Sequence, residues 1–219
     1  MVMLEKMAAF FEARLDGYDE HMLSNIESAT EFYPFTASLL PKEEGVEVLD
    51  LGCGTGLELE FYFAFNPTAR VTGIDLSAGM LEALRAKFLD KDLTLIRGSY
   101  FELPLKAGKY HAALSVESLH HFTKEQKAGL YCRLCDALTP DGYFILTDFF
   151  AHTDTDEAFF AAELARLKSE QGLTDGEFYH YDTPLTVEHE TEALLEGGFS
   201  TVEILGKWGA TVTLRARKQ

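Results

Sequence analysis

An apolar strand that runs straight into a glycine-rich turn and then a helix can hold a small ligand against bare backbone. Val48-Leu49-Asp50-Leu51-Gly52-Cys53-Gly54-Thr55-Gly56 has that form. Glycine has no Cβ, so the turn can be tight and a ligand can lie close to it. The spacing is GxGxG, one residue short of the GxGxxG of dinucleotide sites. Glu58 and Glu60 fall in the first helical turn, where their charge repels a diphosphate and favours a cation. The motif therefore suits a cofactor with an ammonium or sulfonium centre better than a nicotinamide dinucleotide. The alternative is a strand-to-helix turn that holds nothing.

Asp75 stands 19 positions after Gly56, at the C-terminal end of the second apolar strand. An acid there can accept two hydrogen bonds from a ribose diol. It could instead cap the helix that begins after Ser77. Met80 could lay its thioether on an adenine face or simply pack in the core. Further on, Ser115-Val116-Glu117-Ser118-Leu119-His120-His121 follows a fourth strand. A histidine at such a strand end can serve as general base near neutral pH. His120 and His121 are the catalytic candidates, with loop packing the other reading of His121. His152, His180 and His189 show no metal-ligand spacing and read as surface residues, so no metal is expected. Cys132 and Cys135 form a CxxC inside a helical stretch with no second pair, and read as two buried helix thiols.

These residues need a scaffold, and the hydrophobic pattern supplies one. Short apolar runs at Val46–Leu51, Arg70–Asp75, Leu93–Arg97, Ala112–Val116 and Tyr143–Phe150 alternate with helical patterns at Leu57–Phe65, Ala78–Phe88 and Lys124–Leu138. That alternation predicts βαβ units around an open, doubly wound parallel sheet of Rossmann-like α/β class. Thr139-Pro140-Asp141-Gly142 is expected to turn the chain into the fifth strand. Ser200–Leu205 and Ala210–Ala216 read as two antiparallel strands linked through Gly206-Lys207-Trp208-Gly209. Residues 1–40 and 154–198 lie outside the pattern and read as helical segments over one domain spanning 1–219. Their aromatics Tyr18, Tyr33, Phe178, Tyr179 and Tyr181 are candidates for a lid over a substrate, with core packing the alternative.

Composition narrows the function. The chain has 219 residues and 47% hydrophobic content, enough for one elaborated domain with a sizeable core. Its 19 basic residues against 36 acidic ones leave a net charge of −17. Such a surface repels phosphate backbones and anionic lipid, which disfavours nucleic-acid and membrane partners. The basic tail Arg215, Arg217, Lys218 reads as the solvated end of a last strand. Three cysteines cannot form a complete disulfide set, and neither a signal-peptide pattern nor an apolar run of ~18 residues is present. A cytoplasmic monomer or homodimer is the expectation.

Together VLDLGCGTG (48–56), GIDLSAGML (73–81), GSYFELPL (98–105), ALSVESLHHF (113–122) and LTPDGYFILTDF (138–149) resemble the class I S-adenosylmethionine (SAM)-dependent methyltransferases. The resemblance covers about half the chain, and Gly197-Gly198-Phe199 with the two final strands extends it. It implies a seven-stranded sheet with an antiparallel last strand and SAM bound over the strand ends. The loop Gly52–Gly56, with Asp50 and Cys53, would hold the methionine part, Asp75 the ribose, and Leu76 and Met80 the adenine. Ser115 and Val116 complete the cofactor set. The family often has an acid after the glycine matching Gly98, where it binds the adenine amino group. Ser99 and Tyr100 stand there instead and are the cofactor-binding candidates at that place, through a serine hydroxyl or a backbone carbonyl; Tyr110-His111 replaces the Asp that usually opens the fourth strand.

The DNA-amino signature NPPY is absent, so a small-molecule acceptor is expected. Methyl transfer from a sulfonium needs mainly positioning and water exclusion, which fits clear cofactor motifs beside a faint catalytic one. The entry FFEARLDGYDEHM is also similar to relatives that make carboxy-S-adenosylmethionine for tRNA wobble-uridine modification. Those use a cation to hold the added carboxylate, and Ser169–Gly206 contains no Lys or Arg. A non-catalytic SAM-binding protein is the third reading.

Overall fold

The computed structural model describes residues 2–174 and 176–219; Met1 and Asp175, which fall in the two helical segments named above, lie outside the described residues. Seven strands form one sheet: β1 (Glu47–Leu51), β2 (Arg70–Asp75), β3 (Asp92–Arg97), β4 (Tyr110–Val116), β5 (Leu138–Phe149), β6 (Thr201–Trp208) and β7 (Thr211–Arg217). Their order is β3-β2-β1-β4-β5-β7-β6, with the first five parallel and β7 antiparallel to both of its neighbours. Chain order reverses between β1 and β4. In open α/β sheets that reversal opens a crevice at the carboxyl ends of the strands. The glycine loop leaves β1 there, and the His120–His121 turn leaves β4 there.

Alternate side chains along each central strand enter opposite cores, as a two-residue period requires. Leu49, Ala113 and Phe144 join one cluster and Val48, Leu114 and Ile145 the other. Helices α6 (Lys124–Ala137) and α8 (Val187–Glu196) cover the first face, while α3 (Ala29–Ser38), α4 (Leu57–Phe65) and α5 (Ala78–Lys87) cover the second. Side chains cap two of these helices. Ser77 Oγ accepts from Met80 N–H at 3.1 Å, and Thr123 and Gln126 close a capping box on α6.

Some expectations are corrected. Thr139-Pro140-Asp141-Gly142 is not a turn between elements. β5 already begins at Leu138, and its pairing jumps from Tyr110↔Leu138 to Ala112↔Tyr143, so the extra residues form an irregular bulge inside the strand. β6 runs on through Gly206-Lys207-Trp208, so the hairpin is tighter than expected, at Gly209-Ala210. Cys135 is buried but Cys132 is exposed, so only one of the two is a buried helix thiol. No helix among the described residues is long and apolar enough to cross a membrane.

The two segments outside the sheet pack against each other. The N-terminal one holds α1 (Met7–Glu12) and α2 (Tyr18–Asn25) ahead of α3; the other holds α7 (Asp154–Gln171) and then an extended stretch before α8. Met7 N–H donates to Phe178 O and His180 N–H to Glu5 O, each at 2.9 Å, so the chain start and that stretch pair like strands. Thr183 N–H donates to His120 O at 2.7 Å and ties the same stretch to the β4 turn.

Candidate active site

The glycine loop is held from below and from the side. Gly52 N–H and Cys53 N–H donate to Ile74 O, at 2.8 and 3.2 Å. Asp75 braces it further: Oδ2 accepts from Gly54 N–H at 3.0 Å and Oδ1 from Ser77 N–H at 2.8 Å. Burial raises the Asp75 carboxyl above its usual range, against these backbone hydrogen bonds. The glycines serve different purposes. A Cβ at Gly52 would run into Ser118 Oγ, and one at Gly56 would press on Leu84 and Phe88, so both are demanded by the protein's own packing. Gly54, at φ +47°, has nothing nearer than 4.0 Å in that direction and is the open face of the loop.

Beneath the loop lie two acids that water does not reach. Asp50 is 1% exposed and Glu58 5%. Asp50 Oδ2 and Glu58 Oε1 have no hydrogen-bond partner among the described residues. Desolvation, with Glu58 beside it, raises Asp50 well above the ordinary carboxylate range. A pyrophosphate over these acids would be repelled, whereas an ammonium or sulfonium would be drawn in. Unpartnered buried carboxylate oxygens below an open glycine face therefore fit the cationic methionine end of SAM.

The N-terminal segment closes over this loop. Glu12 Oε2 accepts from Ser77 Oγ–H at 2.6 Å and from Gly79 N–H at 3.2 Å. Asp19 accepts from Thr55 Oγ1–H and pairs with Lys87 Nζ at 2.6 Å. Under that cover Met80 is 1% exposed, Leu76 packs against the core, and Ser99 Oγ accepts from Phe101 N–H at 3.2 Å. Tyr100 Oη and Ser118 Oγ share a hydrogen bond of 3.1 Å, and Ser115 Oγ–H donates to Leu51 O at 2.9 Å while Val116 is buried.

Between the N-terminal segment and the turn after β4 opens a cavity of about 700 Å³. Phe10, Phe11, Tyr18, Met22 and Ile26 form its apolar wall; Glu117, His120, His121, His180 and Asp182 form its polar one. Of the five lid candidates only Tyr18 lines it. Tyr33 sits in the core beside Phe32, Phe178 against Phe101 and Phe122, and Tyr179 and Tyr181 in a small cluster with Leu4 and Leu167.

Both histidines expected at the mouth reach it. They form a 3-10 turn, Leu119–His121, anchored on Asp148: Leu119 N–H donates to Oδ2 at 2.9 Å and His120 Nδ1 lies 2.5 Å from Oδ1. Burial works against charge on His120, but Asp148, Glu117 and Asp182 outweigh it and raise the imidazole to about 9. His121 is lowered by burial and by the neighbouring His120. Burial lifts Glu117 to about 7; burial also acts to raise Asp182, but its histidine neighbours prevail and hold it at about 2. Glu117 has φ +48°, a left-handed backbone that a non-glycine residue adopts at a cost.

Sequence reasoning missed Asp148, Asp182 and Glu12. Asp148 carries a faint signal, an acid inside the apolar run Ile145–Phe150; Asp182 and Glu12 carry none. His180, expected on the surface, is half-buried, stacked on Phe10 at 3.5 Å between centroids and 4.7 Å from the His121 ring. Packing between the two non-sheet segments, invisible to local pattern, draws it in.

Residues 48–142 match the family model described as methyltransferase domain. Carboxy-S-adenosyl-L-methionine synthase of Wolinella succinogenes is 31% identical, over 95% of this chain and 92% of that protein. Malonyl-[acyl-carrier protein] O-methyltransferase of Acetivibrio thermocellus is 30% identical over 75% of this chain, which spans only 58% of that protein. Human N-acetylserotonin methyltransferase, solved in complex with SAM, shares the fold: TM-score 0.66 at 15% identity, over 96% of this chain and 56% of that one. The 31% identity to the Wolinella succinogenes protein over nearly the full length of both chains, on this sheet and with this loop, shows that the chain belongs to the class I SAM-dependent methyltransferases.

Proposed function

We propose that this enzyme methylates a small-molecule acceptor seated in the cavity between the N-terminal helices and the His120–His121 turn. The cavity carries this reading: about 700 Å³ lies within the usual range of small-ligand sites, and Glu117, His120 and His121, which follow β4 at the carboxyl ends of the strands, line it. The net charge of −17 argues in the same direction, against a polyanionic acceptor.

Bound SAM supplies a methyl group already activated by the sulfonium. The residues of the chain then bind, orient and exclude water. Asp50 and Glu58 complement the positive methionine end, while Asp75 keeps the Gly54 loop in place and has lone pairs left for the ribose. Glu12 and Asp19 hold the N-terminal segment down and keep solvent from the reacting centre. Phe10, Phe11 and Tyr18 hold an apolar body, and His120 and His121 face its nucleophilic end. The polar wall is acidic, and its one arginine, Arg14, is already paired with Glu5 at 2.9 Å and stacked on Phe10. The acceptor is therefore neutral or cationic, with an apolar part.

A second reading, a carboxy-SAM synthase-like reaction, is favoured by the full-length similarity to that enzyme. It requires a cation free to take the added carboxylate, and Arg14 is engaged. Incubating the protein with isotopically labelled SAM and a panel of small hydroxyl and amine acceptors, with tRNA and protein as controls, tests both. Labelled methyl on a small molecule is the expected result. Label found only on macromolecules, or a carboxylated SAM in the mass spectrum, would overturn the small-acceptor reading.

A further inference from the structure

Two imidazoles and a carboxylate from distant parts of the chain converge on the polar wall of the cavity. Asp182 Oδ1 lies 3.2 Å from His121 Nδ1 and 3.6 Å from His120 Nε2, and the three donor atoms all lie within 4.8 Å of one another. Donors about 2.0–2.2 Å from a common metal ion sit roughly 3.0–3.5 Å apart in tetrahedral or octahedral shells, so the cluster is close to closing around one.

Each donor is also oriented for that purpose. Asp148 takes the Nδ1 side of His120 at 2.5 Å, which leaves Nε2 turned toward Asp182. A carboxylate behind a histidine in this way is the usual outer support of a metal-binding imidazole. His121 Nδ1, on a side chain only 4% exposed, faces the Asp182 carboxylate at 3.2 Å and makes no other hydrogen bond. Asp182 is fixed in reach because the next residue, Thr183, donates its N–H to His120 O at 2.7 Å. Glu117 lines the same cavity from the other side, with Oε2 3.9 Å from His120.

We propose that His120 Nε2, His121 Nδ1 and the Asp182 carboxylate bind one divalent transition-metal ion of the zinc, manganese or iron class, with its remaining positions open to the cavity. Two nitrogens with one carboxylate favour these ions over magnesium or calcium, which prefer oxygen alone. Such an ion would neutralise the acidic wall and take an oxygen, nitrogen or sulfur atom of the acceptor, lowering the pKa of a hydroxyl or thiol held there. That role rests on the small-acceptor reading; the existence of the site does not.

The test uses the full-length protein stripped with chelator and titrated with Co²⁺, followed by visible absorption and calorimetry, with Zn²⁺ as competitor. One equivalent per chain with ligand-field bands is expected. Affinity should fall at least 10-fold in D182N and in H121Q, and by about 10-fold in D148N, where only the outer carboxylate changes. Circular dichroism of each variant establishes that it is folded. Wild-type protein that binds no stoichiometric Co²⁺, or folded D182N and H121Q that bind it as tightly as wild type, would overturn the site. Protein that binds Co²⁺ but methylates no small molecule would keep the site and sink the acceptor reading; small-molecule methylation without Co²⁺ binding would do the reverse.

Discussion

Glu12, in the first helix, accepts hydrogen bonds from Ser77 Oγ–H and Gly79 N–H, and so caps a helix 65 residues further along the chain. The same contact joins the N-terminal segment to the strand end that carries Asp75.

Loss of that latch should loosen the cover over the cofactor. In E12A, SAM is expected to dissociate several-fold faster, measured by stopped-flow fluorescence, with little change in the far-ultraviolet spectrum. The hydrogen bonds from Ser77 and Gly79 hold the Glu12 carboxyl below its ordinary value of 4.5. A depressed carboxyl stabilises the closed form above the unfolded pKa and loses that effect as pH falls through the folded one. Proteolysis of the N-terminal segment should therefore accelerate below about pH 4.5 in wild type, and be fast at every pH in E12A.

Asp75 supports the loop as well as any sugar. Asp75→Ala removes two charge-assisted hydrogen bonds to Gly54 and Ser77. SAM affinity measured by calorimetry should weaken by about 1–3 kcal/mol. An unchanged affinity would sink the ribose role.

Asp50 and Glu58 make the ligand-free protein less stable than it could be. Burial raises the folded-state pKa of Asp50, so the folded protein binds protons more readily than the unfolded chain, and stability falls as pH rises above the carboxylate range. Asp50→Asn should raise the melting temperature of ligand-free protein at pH 8 by about 2–4 °C. The same variant should show a smaller thermal shift on adding SAM, because a charge facing the cationic end is gone.

Lys127 and Glu190 form a buried pair at 2.5 Å, each side chain 1% exposed, with Tyr131 Oη–H donating to the same carboxylate. Lys127→Met leaves that carboxylate uncompensated between α6 and α8 and should cost about 3–5 kcal/mol in denaturant unfolding. Adding Glu190→Leu should recover most of the loss, since a buried ion pair contributes little net stability against apolar residues of like size.

The sheet and the cofactor loop are legible in the sequence because both are local. A two-residue period marks a strand, a 3.6-residue period marks a helix, and three glycines within five residues mark the turn; none depends on distant chain. α4 and β2 have the expected ends, while β5 departs because only its partner β4 could show that Leu138 pairs ahead of the bulge. The polar wall is a different case. His120 and Asp148 are 28 residues apart, and Asp182 arrives on a stretch positioned by Thr183 and by pairing with the chain start. Contacts between segments outside the repeating pattern carry no periodic trace, since they follow from how the segments pack over the sheet. The sequence by itself therefore determined the scaffold and its glycine loop; the tertiary structure alone decided which acids and imidazoles line the cavity.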